Sequence, residues 1–101
     1  MKTKGLDSTV GKIAGSIYGD INREFFVPPL MLVPAITFKI RKLMEQISDL
    51  RLLSVDEKIQ LAREIRISIV PMLFLYEIDA DLIKKITPVI ESAARKALLE
   101  E

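Results

Sequence analysis

The chain has 101 residues, half of them hydrophobic and 29% charged, and its 15 basic and 14 acidic residues leave a net charge of +1. It contains no Cys, His or Trp, which excludes disulfides and zinc–thiolate sites and removes the commonest general base and metal ligand. The balanced charge predicts no concentrated basic surface, so nucleic-acid binding through phosphate contacts is disfavoured. We therefore predict a single helical domain over residues 1–101, with no cofactor, no metal and no small-molecule substrate.

The apolar content also bears on assembly and location. A domain of this size buries only about two-thirds of its unfolded surface, so this composition favours a partner or a homo-oligomer. Abundant Ile, Lys and Glu without Cys are typical of a thermophile. The N-terminus lacks the apolar core of a signal peptide, and the uncharged runs at 25–38 and 67–76 are shorter than the roughly 20 residues of a membrane-spanning helix. We expect a cytoplasmic protein.

The first predicted helix begins near Asp7 or Ser8, either of which suits an N-cap. Its apolar residues recur at spacings of three and four: Val10, Ile13, Ala14, Ile17, Tyr18, Ile21 and Phe25. Gly11, Gly15 and Gly19 form a ridge beside this stripe, although each glycine in a helix costs about 1 kcal/mol relative to alanine. Such a ridge permits close helix approach, which leaves three alternatives: packing inside the fold, contact with a second chain, or a mobile segment.

The second predicted helix follows a turn at residues 27–29, where two prolines disfavour the α conformation. It begins at Pro29 or Pro34, since proline is tolerated in a first turn, and runs to about Leu50. Its apolar residues form a short heptad-like seam: Val33, Ile36, Ile40, Leu43, Ile47 and Leu50. Because the flanking charges are not complementary, we favour a packed bundle helix over a coiled coil.

The third predicted helix opens at Ser54, which forms a capping box with Glu57. Over residues 67–76 the helix is apolar on all sides, which is typical of a buried or interface helix. Pro71 is expected to kink it or to end it near Val70. Alternating apolar residues at 65–69 also fit a strand, but no partner strand is evident and we favour a helix.

The last predicted helix runs toward Leu99. Glu77, Asp79 and Asp81 precede it, and capping explains them better than calcium binding because the glycine and distal glutamate of an EF-hand are missing. Its apolar stripe comprises Leu82, Ile83, Ile86, Val89, Ile90, Ala93, Ala94, Ala97 and Leu98. Pro88 lies opposite this stripe and bends the helix around the core, unless a fresh helix begins there with Thr87 as its N-cap.

These elements predict an all-α fold, a compact bundle of four or five helices with proline kinks that packs as a dimer or higher homo-oligomer. The carboxylates lie at caps and on polar faces, where water solvates them, so we do not expect an enzyme. We predict a scaffold, adaptor or structural protein that acts by self-association or by binding another protein. The candidate contact residues are the glycine ridge and bulky residues of the uncharged runs: Gly11, Gly15, Gly19, Phe25, Phe26, Met31, Met72, Phe74 and Tyr76.

Two other functions are compatible with the sequence. In the first, the chain is a membrane-peripheral protein that inserts residues 25–38 while Lys39, Arg41 and Lys42 meet anionic headgroups. In the second, it is a small dimeric nucleic-acid-binding regulator that presents Arg63 and Arg66 on one helical face.

Overall fold

The computed structural model describes residues 2–25, 32–47 and 49–100, and the side chains of 8–25, 33–47 and 49–100. Within these ranges the regular structure is helical and contains no strand, which confirms the predicted all-α fold and the preference for a helix at 65–69. The elements are α1 (Lys2–Glu24), α2 (Leu32–Met44), a 3₁₀ turn (Leu50–Leu52), α3 (Val55–Leu75) and α4 (Ala80–Leu99).

The four helices form a ring in which each packs against two others. α1 contacts α2 and α4, and α3 contacts the same two helices. The α3–α4 contact is the most extensive and the α2–α3 contact the least. The radius of gyration is 13.0 Å, which matches the roughly 13 Å of a compact chain of 100 residues.

The centre of the ring is filled by apolar side chains alone; no polar or charged residue is buried in the described part of the chain. The predicted stripes of α1 and α4 both face this core, and Phe25 packs at its edge. The buried residues are Val10, Ile13, Ala14, Ile17, Ile21, Ile36, Ile40, Met44, Leu61, Ala62, Ile65, Ile69, Met72, Leu73, Ile83, Ile86, Ile90, Ala93, Ala94, Ala97 and Leu98.

The predicted start of the first helix is wrong. α1 begins at Lys2, so Asp7 and Ser8 lie inside it rather than at its cap. No proline or strong turn sequence separates the first residues from the apolar stripe, and helical hydrogen bonding therefore continues past both candidate caps. The turn predicted at residues 27–29 lies outside the described residues.

The predicted end of the second helix is also wrong, because α2 stops at Met44. The chain leaves the helix through a turn in which the Ile47 N–H donates to the Met44 carbonyl at 3.0 Å. Ile47 and Leu50 nevertheless pack against the core from the turn and the 3₁₀ segment. Apolar spacing therefore continues in the sequence after the helix has ended.

Pro71 does not end α3 near Val70, and the prediction of a break there is wrong. The helix runs on to Leu75. A proline inside a helix leaves the carbonyl of residue i−4 without its donor. Here Pro71 and Ile67 are both exposed, so water can solvate that carbonyl. A kink at this position stays a prediction.

Pro88 likewise lies inside a continuous helix, α4, so no fresh helix begins at Thr87. Pro88 is exposed, as predicted, on the side away from the core. The Thr87 hydroxyl donates to the Ile83 carbonyl at 2.7 Å and so supplies an additional hydrogen bond in the turn that precedes the proline.

The predicted caps of α3 and α4 are confirmed. The Glu57 N–H donates to the Ser54 Oγ at 3.1 Å, and the Ser54 N–H donates to the Glu57 Oε1 at 2.8 Å, which completes the capping box. The Asp79 carboxylate accepts from the N–H groups of Asp81 and Leu82 at 3.1 and 3.2 Å. These bonds fix where α3 and α4 begin, and therefore which residues each helix turns inward.

A candidate interaction surface

The outward face of α3 carries four apolar residues in one row, Ile67, Pro71, Phe74 and Leu75, which we call the α3 apolar stripe. Their spacings of four, three and one place them on one side of a helix. All four are exposed, with fractional exposures of 55% for Ile67, 54% for Phe74 and 82% for Leu75. The row therefore contributes little to the core of the bundle.

The opposite side of the same segment faces the core. Ile69, Met72 and Leu73 are buried, in phase with the buried residues Leu61 and Ile65 earlier in α3. Burial of this all-apolar segment is therefore confirmed for one side only, and an interface on its other side stays a prediction. The other side has no covering element among the described residues.

The first half of the outward face of α3 is polar. Its residues are all exposed and lie in line with the apolar stripe: Asp56, Glu57, Gln60, Arg63 and Glu64. The composition of this face changes at Ile67, while the exposure does not. At about 200 Å² for a large side chain, the stripe exposes on the order of 400 Å². A contiguous patch of that size on a monomer is often functional.

A smaller exposed feature lies on α2. Phe38 is 55% exposed, and the Lys42 ammonium lies 5.4 Å from the centroid of its ring. This is cation–π distance. The helix Leu32–Met44 carries Lys39, Arg41 and Lys42 and no acidic residue. α2 thus combines one exposed aromatic ring with positive charge.

The glycine ridge of α1 faces solvent. Gly11, Gly15 and Gly19 are exposed, and a Cβ built at any of them meets no described atom within 4 Å apart from its chain neighbours and the adjacent backbone of α1. Close packing inside the fold, one of the three alternatives, is therefore wrong for the described part of the protein. Contact with a second chain and a mobile segment are the alternatives that stay open.

The predicted bulky contact residues fall into different environments. Phe25 is half-buried against the core and Met72 is buried in it. Phe74 and Tyr76 are exposed, at 54% and 38%. Phe26 and Met31 lie outside the described residues. The structure therefore brings Phe74 and Tyr76 to one end of α3, and it places the glycine ridge on a different helix.

Sequence reasoning missed Ile67, Leu75 and Phe38 as surface residues. A signal for the first two was present in the sequence. The capping box fixes the start of α3, and the spacing from Leu61 to Ile65 extrapolates to Ile69 and Leu73. The same phase turns residues 67, 71, 74 and 75 away from the core. Phe38 had a similar signal in the seam of α2, which places it opposite Ile36 and Ile40.

The two arginines that the nucleic-acid hypothesis places on one helical face lie in different environments. Arg66 Nε lies 2.7 Å from Glu91 Oε1 on α4. The Arg66 Nε–H makes no hydrogen bond, so Arg66 and Glu91 form an ion pair without one. Arg63 points outward and donates to Gln60 Oε1 at 3.5 Å. A shallow depression of about 250 Å³ beside Arg66 is lined also by Thr87, Pro88, Glu91 and Arg95.

The Asp49–Arg51 pair shows how the chain uses exposed charges. Asp49 accepts side-chain and backbone hydrogen bonds from Arg51 at 3.0 to 3.2 Å. These bonds hold the pKa of Asp49 below its usual value. Because the pair caps the 3₁₀ turn at the surface, its role is to shape the connection between α2 and α3.

Within residues 8–25, 33–47 and 49–100, whose side chains the structure describes, neither a metal site nor a membrane span is found. No cluster of three or more acidic, His or Cys residues there is arranged to hold a metal ion. None of the described helices combines the length and the apolar content needed to cross a bilayer.

The sequence matches no protein-family model, and neither the comparison with curated proteins nor the comparison with solved structures found a similar protein.

Proposed function

We propose that this chain is a non-enzymatic cytoplasmic protein that works by protein–protein association, as a scaffold, adaptor or structural subunit. The observation that supports this proposal is the α3 apolar stripe. A row of large apolar side chains in water is unfavourable, and each gains about 1.5–3 kcal/mol when it is fully buried. Association with another protein surface is the means by which a folded helix obtains that gain.

The first half of α3 strengthens this argument, because it shows what the fold alone requires. Gln60, Arg63 and Glu64 occupy equivalent outward positions and are polar, so a stable α3 does not depend on apolar residues at those positions. From one turn after Glu64 onward, the outward positions of the same helix are occupied by the apolar residues Ile67, Phe74 and Leu75. A requirement other than folding accounts for this change.

The test compares two double variants that are matched in position on α3. Phe74→Ser/Leu75→Ser removes two of the four side chains of the stripe, and Asp56→Ser/Gln60→Ser alters two exposed residues in the polar half of the same face as a control. Each variant and the wild-type chain are immobilised separately. Proteins that the wild type and the control retain, but the stripe variant does not, are purified. Their affinity for each of the three chains is then measured by calorimetric titration. Light scattering at several concentrations measures self-association in parallel.

We expect the stripe variant to lose both kinds of association while the control keeps them. Circular dichroism establishes that both variants are folded. Equal association of the stripe variant and the wild-type chain in both assays contradicts the proposal.

A membrane-peripheral role is the second candidate, and the exposed Phe38 beside Lys42 supports it. An aromatic ring next to lysines on a helix without acids suits the surface of an anionic bilayer. Of the rest of the predicted inserting segment, 25–38, residues 26–31 lie outside the described residues, whereas Phe25 packs against the core and Ile36 is buried in it. Co-sedimentation with vesicles containing anionic lipid tests this role, with Phe38→Ser/Lys42→Ser as the variant expected to bind less. Failure of the wild-type chain to co-sediment contradicts it.

A further inference from the structure

We infer that the partner of the α3 apolar stripe is a second copy of this chain, whose α2 lies across the stripe, so that two copies pair through reciprocal α2–α3 contacts. This inference rests on the proposed function and names its partner. Three observations carry it: the charges that flank the stripe, the distribution of exposed apolar residues, and the exposed area.

Carboxylates flank the stripe on both sides. Glu64 lies one turn before Ile67 beside Arg63, and Glu77 and Asp79 follow Leu75, all of them exposed, so carboxylates outnumber cations around the stripe. A complementary partner is therefore an apolar segment with positive charge beside it. Within this chain α2 has that composition, since Phe38 is exposed next to Lys42 and Leu32–Met44 contains three basic and no acidic residues. The first acid after α2 is Glu45.

The same charges disfavour the simplest alternative, an antiparallel pairing of the two α3 stripes. That arrangement brings Glu64 of one copy toward Glu77 and Asp79 of the other, where Arg63 offsets only part of the negative charge, and like charges across an interface are unfavourable. Placing α2 of the second copy on the stripe replaces this repulsion with attraction between Lys39 or Lys42 and the flanking carboxylates.

Exposed bulky residues are concentrated on the side of the bundle that this pairing uses. α2 and α3 are neighbours in the ring and together expose Val33, Phe38, Val55, Ile67, Phe74 and Leu75, with Leu52 in the 3₁₀ turn between them and Tyr76 at the end of α3. Among the described side chains, α1 exposes no large apolar residue and α4 exposes only Leu99. The exposed large apolar residues of the described part of the chain therefore lie mainly on α2, α3 and their connection.

The area suits a two-fold dimer that uses both helices. At about 200 Å² for a large side chain, the exposed apolar residues of α2 and α3 present roughly 600 Å² per copy. A standard interface buries about 800 Å² per partner and completes its area with a polar rim, which the flanking lysines and carboxylates supply. The stripe alone, on the order of 400 Å², is too small. In a two-fold dimer each copy contributes its α2 and its α3 at once, which doubles the contact.

Charge reversal on each helix, followed by mixing, tests the pairing. One variant carries Lys39→Glu/Lys42→Glu on α2, and the other carries Glu64→Lys/Glu77→Lys beside the stripe. A control, Lys84→Glu/Arg95→Glu, reverses two charges on the exposed face of α4. Sedimentation equilibrium measures the dimer dissociation constant of each protein alone and of the equimolar mixture of the first two, with circular dichroism as the measure of folding.

We expect the wild-type chain and the α4 control to dimerise, and each of the first two variants alone to dimerise at least about tenfold more weakly, since each then opposes like charges. Mixed together, they should form a heterodimer with close to wild-type affinity, because both α2–α3 contacts again join opposite charges. A structural defect in either variant cannot produce this rescue.

The other outcomes overturn the inference, and they separate it from the proposed function. A wild-type chain that stays monomeric at all concentrations excludes a second copy as the partner, while loss of other protein partners in the stripe variant still supports the proposed function. A wild-type dimer that both reversals leave unchanged excludes the α2–α3 pairing. Weakening without rescue in the mixture excludes reciprocal contact.

Discussion

α1 and α3 are helices of similar length, 23 and 21 residues, and each exposes an unusual set of residues. α1 turns Gly11, Gly15 and Gly19 toward water, whereas α3 turns Ile67, Phe74 and Leu75 toward water. The glycines and Phe74 were predicted as contact residues, whereas Ile67 and Leu75 were not. Neither set packs in the core of the described fold. They differ in what they can give to a partner.

The glycine ridge permits close approach of a second surface but supplies no apolar area. Each of its glycines lowers the stability of α1. The α3 stripe offers area, and Ile67, Phe74 and Leu75 each cost the helix less than a glycine does, although Pro71 costs about 3 kcal/mol. The comparison teaches that two patterns which both suggest contact from their spacing have different energetics. A ridge determines how near a second surface can come, but a stripe supplies the free energy that holds it.

The largest expected effect distinguishes the two sides of α3. Ile69→Ala removes a side chain that is fully buried and should lower the free energy of unfolding by about 2–5 kcal/mol, because it leaves a cavity in the core. Urea denaturation monitored by circular dichroism measures it. A loss below about 1 kcal/mol would mean that α3 does not turn this side inward.

The next largest effect concerns α1. Replacing Gly11, Gly15 and Gly19 together with alanine should raise the free energy of unfolding by on the order of 2–3 kcal/mol, since each alanine favours the helix by about 1 kcal/mol and its Cβ meets no described atom within 4 Å apart from its chain neighbours and the adjacent backbone of α1. The measurement is the same denaturation experiment at low protein concentration. Destabilisation would show that a methyl group on the ridge clashes with something close to it.

The local signals of the sequence predicted the starts of α3 and α4 correctly. Ser54, Glu57 and Asp79 act within a few residues of themselves, so their hydrogen bonds are encoded by spacing alone. The stripe of α1 was predictable for the same reason, because Val10, Ile13 and Ile17 alternate with polar residues.

The failures arose where local rules depend on surroundings that the sequence does not show. Pro71 was expected to kink α3 or to end it near Val70, but α3 continues to Leu75, and Ile67, whose carbonyl loses its donor, is an exposed residue. α2 was extended too far because Ile47 packs on the core from a turn. Residues 67–76 are apolar on all sides, so their own periodicity carries no information on which side is outward.

A moderate effect tests whether a capping hydrogen bond stabilises the start of α3 in a way that no residue near Ser8 stabilises α1. Ser54→Ala removes one hydrogen bond of the capping box and should destabilise the protein by about 1 kcal/mol. Ser8→Ala is the matched control, since Ser8 lies within α1 instead of at its cap; it should not destabilise. An equal loss in both variants would mean that the capping box contributes nothing particular to α3.

The smallest expected effect returns to the apolar stripe. Ile67→Ala should change the free energy of unfolding by no more than about 0.5 kcal/mol in dilute solution, because the side chain is 55% exposed and outside the core. Compared with Ile69→Ala, two residues away, it separates the contribution to folding from the contribution to association. A loss as large as that of Ile69→Ala would show that the stripe is already covered within the monomer.

The closure of the ring by α1 and α4 has a consequence for the order of folding. The Ser16 hydroxyl donates to the Ala93 carbonyl at 3.3 Å across 77 positions of sequence, and the Asp20 carboxylate lies 3.9 Å from the Lys96 ammonium. The α3–α4 hairpin needs only a short loop and forms from local contacts, whereas α1 must search for a distant segment, which slows folding. On the ribosome α1 emerges before α4 and cannot complete its contacts until α4 follows. We expect docking of α1 to limit the folding rate, with its apolar stripe accessible to chaperones until then.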